Sequence, residues 1–235
     1  MNHVPTRSEH IAYSTDEGEP RLYEYEKRWK IKALEMVQSL SVHGKKPTVL
    51  DFGCGRGEFL QMLREAGVEC AAVDFDPRCV ELGSQYAPCH QASIDNVTEV
   101  LRGQKFDVVT CLHVLEHLEY PKVAVQRLSE LSNRWLLFAV PNLCTPDRLV
   151  WRRVHPCNEG HYQGWDASHF QNFLEKKCGL RILRWVPDTV VAFHPKLSKV
   201  LNVIGLRRHF EYQFLPRHFP FLSISLLVLC EKTGK

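Results

Sequence analysis

Three histidines and a glutamate have the residue types and spacing for acid–base or metal chemistry. The stretch HVLEH holds His113, Glu116 and His117, and GHYQGW supplies His161. If a helix follows the preceding apolar run at once, the first three side chains share one helix face, because residues three and four apart are neighbours there. Two imidazoles, a carboxylate and a third imidazole form a candidate cluster for a divalent ion that would lower the pKa of a substrate hydroxyl.

Two other interpretations of this cluster stay open. Without a metal, His113 or His161 is a candidate general base, since an unperturbed imidazole titrates near neutral pH. In a purely structural role, Glu116 and His117 would only hydrogen-bond neighbouring backbone. The sequence leaves the use of a metal unsettled.

A glycine turn separates a predicted strand from a predicted helix in TVLDFGCGRGEF. Gly53, Gly55 and Gly57 have the spacing G-x-G-x-G, whereas a dinucleotide fold uses G-x-G-x-x-G to seat a pyrophosphate on a helix N-terminus. Asp74 ends the next predicted strand, where a carboxylate can accept hydrogen bonds from both hydroxyls of a ribose. The pattern predicts an adenosine ligand without phosphates. A tight turn and a solvated strand end are the structural alternative.

The elements that would position these residues alternate along the chain. Helices are predicted over 20–40, 59–66, 121–131 and 166–178, and strands over 48–52, 68–75, 90–93, 106–114, 135–142, 180–186 and 222–231. Interleaved strands and helices indicate an α/β fold with a doubly wound sheet. In such sheets ligands bind at the carboxyl ends of the strands. We expect one domain over 20–235 and a flexible polar tail over 1–19.

Composition narrows the class of protein. The chain of 235 residues is 44% hydrophobic, with a net charge of +3 that is too small by itself to indicate nucleic acid or an anionic membrane. Nine cysteines without a C-x-x-C pair argue against a disulfide framework and a zinc knuckle. The first residues lack the apolar core of a signal peptide. A soluble, cytoplasmic protein is expected.

Five stretches resemble, in order, motifs of class I S-adenosylmethionine-dependent methyltransferases: VLDFGCGRGEF, VDFDP, FDVVTCLHVLEHL, LLFAVPN and HYQGWDASHFQNFLEKKCGLRIL. The resemblance covers about residues 20–231, and it is closest to the branch of ubiquinone-biosynthesis and other small-molecule O-methyltransferases. It implies a Rossmann-like, seven-stranded, mostly parallel sheet with an antiparallel last strand. It also implies S-adenosylmethionine as cofactor and a small-molecule methyl acceptor.

The resemblance assigns roles at the cofactor site. It implies that the turn at Gly53, Cys54 and Gly55 approaches the methionine part, whose amino group Asp51 holds. The other implied contacts are Asp74 on the ribose, Phe75, Ser93 and Ile94 around the adenine, Leu112 at the sulfonium, and Arg28 or Tyr25 at the carboxylate.

Two departures from the resembled families affect the chemistry. Ubiquinone-type and small-RNA enzymes carry a Glu-x-x-Glu-His metal motif, and here His113 replaces the first glutamate. After the fourth strand TCLHV stands where base N-methyltransferases have a D/N-P-P-aromatic motif, which favours an oxygen acceptor.

Two irregular segments are candidates for the acceptor site, because loops at the carboxyl ends of strands carry specificity. They span about 143–161 and 190–220, and both mix arginines with aromatic and aliphatic residues. They would cover a planar or anionic substrate or contact a membrane surface, with Leu149, Val150 and Trp151 as membrane candidates. A solvated amphipathic lid is the simpler alternative.

Three functions remain at this stage. The first is small-molecule O-methylation, and the second is terminal 2′-O-methylation of RNA with a divalent metal, which the mild charge disfavours. The third is a non-catalytic adenosine-binding scaffold. The acceptor and the oligomeric state stay open.

Overall fold

The protein is described from a computed structural model over residues 20–146, 158–191 and 195–233. The side chains of 20–26, Pro195 and Ser198 are not part of the description. The predicted tail over 1–19 and most of the predicted lid over 143–161, including Leu149, Val150 and Trp151, lie outside the described residues.

Seven strands form one twisted sheet in the order β3-β2-β1-β4-β5-β7-β6. Their bounds are β1 Val49–Phe52, β2 Cys70–Asp74, β3 Cys89–Gln91, β4 Phe106–Leu112, β5 Ser132–Pro141, β6 Leu180–Val186 and β7 Ser225–Lys232. Strands β1 to β5 pair in parallel, and β7 lies antiparallel between β5 and β6. The predicted α/β fold, with its antiparallel last strand, is confirmed.

Helices cover both faces of the sheet, which explains why its central strands read as continuous apolar runs. The helices are α1 Pro20–Gln38, α2 Glu58–Glu65, α3 Pro77–Gly83, α4 Val97–Val100, α5 Pro121–Leu131, α6 Ala167–Asn172, α7 Pro195–Val203, α8 Arg207–His209 and α9 Leu215–His218. Met36 of α1 and Leu63 of α2 pack on one face. Leu128 of α5 and Phe170 of α6 pack on the other face, so the site residues stand at the edge of a three-layer core.

Some element bounds differ from the predictions. Strand β5 begins at Ser132, directly after α5. The strand thus starts three residues before the predicted 135–142, and the Ser132 hydroxyl donates to the carbonyl of Trp135 at 2.8 Å. Strand β7 begins at Ser225, because Pro220–Leu222 form a 3-10 turn. The predicted helix over 166–178 starts with Asp166 as its N-cap and continues as a π-helix over Phe173–Lys177.

The connection from β6 to β7 begins and ends at the edge of the sheet that holds the carboxyl ends of the parallel strands. Strand β6 ends at Val186 and β7 starts at Ser225, opposite Pro141 at the carboxyl end of β5. The connection between them therefore lies where parallel α/β sheets bind ligands. Among the described residues, every helix is too short or too polar to cross a bilayer. The cytoplasmic location stays a prediction.

Candidate functional site

The glycine turn after β1 presents one open face. Gly53 has φ 81°, and a Cβ there would lie 2.4 Å from Cγ2 of Val114. Gly55 has φ 53°, but a Cβ added to it would meet no atom of the described part of the chain within 4 Å. The backbone at Gly53 is therefore packed against protein, and that at Gly55 borders free space.

Asp74 is held against this turn by backbone amides. Its Oδ2 accepts a hydrogen bond from the Gly55 amide at 2.9 Å, and its Oδ1 accepts one from the Asp76 amide at 3.0 Å. Burial raises the pKa of the Asp74 carboxyl, although these amide donors oppose the shift. A carboxylate offers about four acceptor positions, so two remain for hydroxyl groups of a ligand.

Asp51 lies at the end of β1, beneath the same turn. Its side chain is only 3% exposed, and the Thr110 hydroxyl donates to its Oδ1 at 2.7 Å. Burial raises the pKa of Asp51 to about 6; the Thr110 hydrogen bond opposes the shift, and the Asp74 charge adds to it. A cation placed beside Asp51 would favour its ionised form.

The three predicted adenine contacts, Phe75, Ser93 and Ile94, follow the ends of β2 and β3. Phe75 directly follows Asp74 and is 54% exposed, which is unusual for a phenylalanine next to a buried strand. The Ala92 amide donates to the Asp74 carbonyl at 2.9 Å and so brings the loop of Ser93 and Ile94 beside it. Arg127 donates to the Ile94 carbonyl at 2.7 Å and fixes that loop.

Leu112 and Cys54 are the remaining predicted cofactor contacts, and both side chains are buried. Leu112 ends β4. The Cys54 thiol lies against Cys89, and its hydrogen bond to Cys89, together with burial, raises the pKa of Cys54. Cys54 therefore stays a neutral thiol that packs below the turn.

Helix α1 approaches the site from the side. The guanidinium of Arg28 lies 4.8 Å from the ring centroid of Tyr212. The Nε of Arg28 is buried and has no hydrogen-bond partner among the residues that the structure describes. The Trp29 ring lies 4.8 Å from the His113 ring. The structure does not describe the side chain of Tyr25. Trp29 and Tyr212 were not predicted as site residues, since only the packing of distant segments brings them here.

Glu116, His117 and His161 come together as one cluster. One ligand atom from each lies within 4.8 Å of the others. Glu116 is 1% exposed, and no group within 20–146, 158–191 or 195–233 forms a hydrogen bond with its Oε2. The Glu116 carbonyl accepts hydrogen bonds from the amides of Tyr162 and Gln163, at 2.8 and 3.2 Å. These two bonds hold the loop of His161 against His117.

His113 lies outside this cluster, which corrects the predicted four-residue set. The expected helix does not follow β4 directly, because His113 has φ 56° and only a 3-10 turn, Leu115–His117, comes after it. The Nδ1 of His113 faces Oε1 of Glu116 at 3.3 Å, while its Nε2 is 3.0 Å from the Ser225 hydroxyl. Both ring nitrogens of His113 therefore have protein neighbours.

Two residues behind His113 were missed by the sequence analysis. Ser225 starts β7, and the buried carboxyl of Asp188 accepts a hydrogen bond from the Thr189 amide at 2.6 Å and lies 3.4 Å from the Ser225 amide nitrogen. Burial raises the pKa of Asp188. No local pattern marks either residue, because their proximity to His113 depends on the pairing of β7 with β5.

Known proteins share this fold. A magnesium protoporphyrin IX methyltransferase from Synechocystis PCC 6803 with bound SAH superposes with a TM-score of 0.62 at 16% identity, over 95% of this chain and 92% of that one. A putative methyltransferase in complex with the Trm112 activator of Haloferax volcanii gives a TM-score of 0.64 at 16% identity, over 97% and 98%. At these identities the likeness concerns the fold.

Sequence comparison gives a more local match. The mitochondrial ubiquinone biosynthesis O-methyltransferase of Schizosaccharomyces pombe is 35% identical over 86 residues, which cover 34% of this chain and 31% of that protein. The match thus spans less than a third of the relative's length. A family model described as a methyltransferase domain matches residues 24–184, which include the glycine turn, Asp74 and the Glu116 cluster. Because that match spans more than half of the chain, the protein belongs to the methyltransferase-domain family.

Proposed function

We propose that this protein transfers the methyl group of S-adenosylmethionine to an oxygen of a small-molecule acceptor. One observation carries the proposal. The Asp74 carboxylate accepts a hydrogen bond from the Gly55 amide, the described residues leave open space beside Gly55, and the exposed Phe75 directly follows Asp74. This arrangement suits a nucleoside without phosphates. The SAH bound by the structurally similar Synechocystis enzyme supports the same ligand class.

Different residues of the chain would bind different parts of the cofactor. Asp74 accepts the ribose hydroxyls, and Phe75 covers the adenine. Asp51 faces the ammonium group, and binding of that cation lowers the pKa of its carboxyl from about 6. The buried, unpartnered Nε of Arg28 gives α1 a donor for the cofactor carboxylate.

The acceptor side would be built around the Glu116 cluster. Methyl transfer is an in-line displacement, in which an acceptor oxygen bonds to the methyl carbon as the carbon–sulfur bond breaks. Alignment of the two reactants is therefore the main contribution of the protein. The acceptor hydroxyl must also lose its proton. Without a metal ion, the partly exposed His161 is a candidate to accept it. The two ring nitrogens of His113 face Glu116 and Ser225.

The residues present fit a divalent ion. The unpartnered Oε2 of Glu116 provides a buried anionic ligand, and two imidazoles lie within reach of it. The Gly160 carbonyl lies 3.0 Å from Nδ1 of His117, which suits a ligating histidine that presents its other nitrogen. Glu116, His117 and His161 would hold the ion, and the ion would lower the pKa of the acceptor hydroxyl.

The function is tested with labelled S-adenosylmethionine and a panel of catechols, polyprenylated phenols, sugars and short RNAs, read out by product mass. We expect one class of small-molecule hydroxyl to gain a methyl group. Asp74→Ala should weaken binding of S-adenosylhomocysteine by about tenfold or more, as one charged hydrogen bond contributes about 1.5 to 3 kcal/mol. Calorimetry that shows unchanged binding by Asp74→Ala would contradict the proposal.

RNA 2′-O-methylation is the second candidate, and the Glu116 cluster is the observation that favours it. The resemblance to small-RNA enzymes concerns this Glu-His pair and a later histidine. Binding of RNA through phosphates would weaken steeply as salt rises, whereas binding of an uncharged small acceptor would not. Titrations of a short RNA at low and high salt separate the two candidates.

A further inference from the structure

The connection between β6 and β7 carries a concentrated positive charge. We call residues 195–222 the basic cap. This segment contains Lys196, Lys199, Arg207, Arg208 and Arg217 and only one acidic residue, Glu211. Glu211 is fully buried and accepts a hydrogen bond from Arg207 at 2.8 Å. The outer surface of the basic cap is therefore cationic.

The same segment exposes large apolar side chains. They are between 42% and 86% exposed: Leu197, Val200, Val203, Ile204, Leu206, Phe214, Phe219 and Phe221. These eight are more than half of the fifteen large apolar side chains that are exposed in the described part of the chain. Such a concentration of exposed apolar side chains in one segment indicates an interaction surface.

Helix α7 organises part of this surface. Leu197, Val200 and Ile204 follow at intervals of three and four residues, and the Ile204 amide donates to the Val200 carbonyl at 3.1 Å, so the helical spacing persists to the end of α7. Val203, beside them, is 86% exposed. The exposed Lys199 lies between these apolar positions in the sequence. An apolar helix face flanked by lysine is typical of helices that lie in a membrane interface.

The inner side of the basic cap is already occupied. The Val190 amide donates to the Glu211 carbonyl at 3.0 Å, and Tyr212 lies against Arg28. The Asn142 amide group donates to the carbonyls of Phe221 and Ser223, at 2.9 and 2.7 Å. These bonds fix the cap on the carboxyl edge of the sheet, so its exposed residues face outward.

We propose that the basic cap docks on the surface of an anionic lipid bilayer. The exposed apolar side chains enter the headgroup region, while Lys199, Arg208 and Arg217 meet anionic headgroups. Charge selects this partner, because the accessible cap carries cations and no accessible carboxylate. The inference is independent of methyl transfer, since it depends on the outer face of the cap and on no residue of the Asp74 or Glu116 sites.

The test is sedimentation of the full chain with lipid vesicles. Vesicles of roughly seven parts phosphatidylcholine to three parts phosphatidylglycerol supply the negative surface, and pure phosphatidylcholine vesicles are the comparison. We expect the protein to bind the anionic vesicles and to bind them less as salt rises. A protein that stays in the supernatant with anionic vesicles at low salt overturns the proposal.

Matched variants locate the surface. Val203→Glu with Ile204→Glu, and separately Lys199→Glu with Arg208→Glu, should each lower the partition onto anionic vesicles about tenfold or more. Leu82→Glu with Val123→Glu, and separately Lys105→Glu with Lys122→Glu, make the same changes at exposed positions outside the cap and should leave the partition onto anionic vesicles unchanged. Circular dichroism checks the fold of all variants. An equal loss in cap and control variants, or no loss in either, overturns the proposal.

Discussion

Gly53 and Gly55 are separated by a single residue, yet the two glycines are required for different reasons. At Gly53 the constraint is internal, because a side chain would collide with Val114. At Gly55 no atom of the described residues occupies the space, although φ of 53° still disfavours a side chain. The free space at Gly55 is therefore available to a ligand, and the sequence spacing alone does not make that distinction.

Replacing Gly55 by alanine should separate ligand binding from backbone strain. Gly44 is a matched control, since its φ is 78° and it also has open space around it, in a turn before β1. Both Gly55→Ala and Gly44→Ala should lower the free energy of unfolding by about 1 to 2 kcal/mol, the cost of a left-handed backbone for alanine. Only Gly55→Ala should also weaken S-adenosylhomocysteine binding, by about tenfold or more.

Urea denaturation and calorimetry measure the two effects. Unchanged ligand affinity in Gly55→Ala would show that the free space beside this glycine is not used. A loss of affinity in Gly44→Ala of equal size would attribute the effect to strain.

The end of β4 is the element that decides the composition of the histidine cluster. The left-handed backbone at His113 interrupts the path from strand to helix, and the short turn that follows directs Glu116 and His117 toward the loop of His161. His113 instead contacts Trp29 of α1 and Ser225 of β7. A residue that a helix would place among the ligands becomes a contact between elements.

Removing the carboxylate of this cluster tests metal binding. Glu116→Gln should abolish binding of manganese or zinc, measured by calorimetry on chelator-treated protein, because the anionic ligand is lost. The variant should also be about 1 kcal/mol more stable than the metal-free wild type, since a neutral amide costs less free energy to bury than a carboxylate.

His169→Ala is the control, because His169 is an exposed histidine paired with Asp166 and remote in sequence from β4. It should bind metal as the wild type does. Two results would exclude a metal role: equal metal binding by Glu116→Gln and the wild type, or no metal binding by either protein while both still methylate after chelation. The cluster would then have an acid–base or structural role.

At the scale of the whole molecule, three of the carboxyl groups buried around the carboxyl edge of the sheet have raised pKa values. Asp51, Asp74 and Asp188 are 3%, 6% and 1% exposed. Burial raises the pKa of each of them. These three groups therefore bind more protons in the native protein than in the unfolded chain above about pH 4, and their contribution to the free energy of unfolding falls as the pH rises through their native pKa values.

Asp51→Asn should reveal how much ionisation of the buried Asp51 carboxyl lowers the free energy of unfolding. The pKa of Asp51 rises from 3.8 to about 6, so its contribution is present below pH 4 and is lost as the pH rises through about 6. At pH 7.5 the variant should be more stable than the wild type, by up to about 2 to 3 kcal/mol, and at pH 4 the gain should disappear. Thermal denaturation at the two pH values measures the difference; an equal gain at both would contradict a titrating Asp51.

Patterns local in sequence determined much of the fold. Apolar runs and their turns located all seven strands to within a few residues, and both 121–131 and 180–186 agree with α5 and β6 at their ends. The glycine turn and Asp74 were found because strand, turn and helix are adjacent in sequence, so their geometry follows from short-range backbone and steric preferences. The methyltransferase family was evident from the same short motifs.

Only the tertiary structure decided which distant groups meet. Trp29, Asp188, Tyr212 and Ser225 reach the site through the packing of α1 and the insertion of β7 between β5 and β6. The outward face of the basic cap likewise depends on which side packs on the sheet edge. The free energies that fix these arrangements come from burial of surfaces far apart in the chain, and no pattern within a window of neighbouring residues contains them.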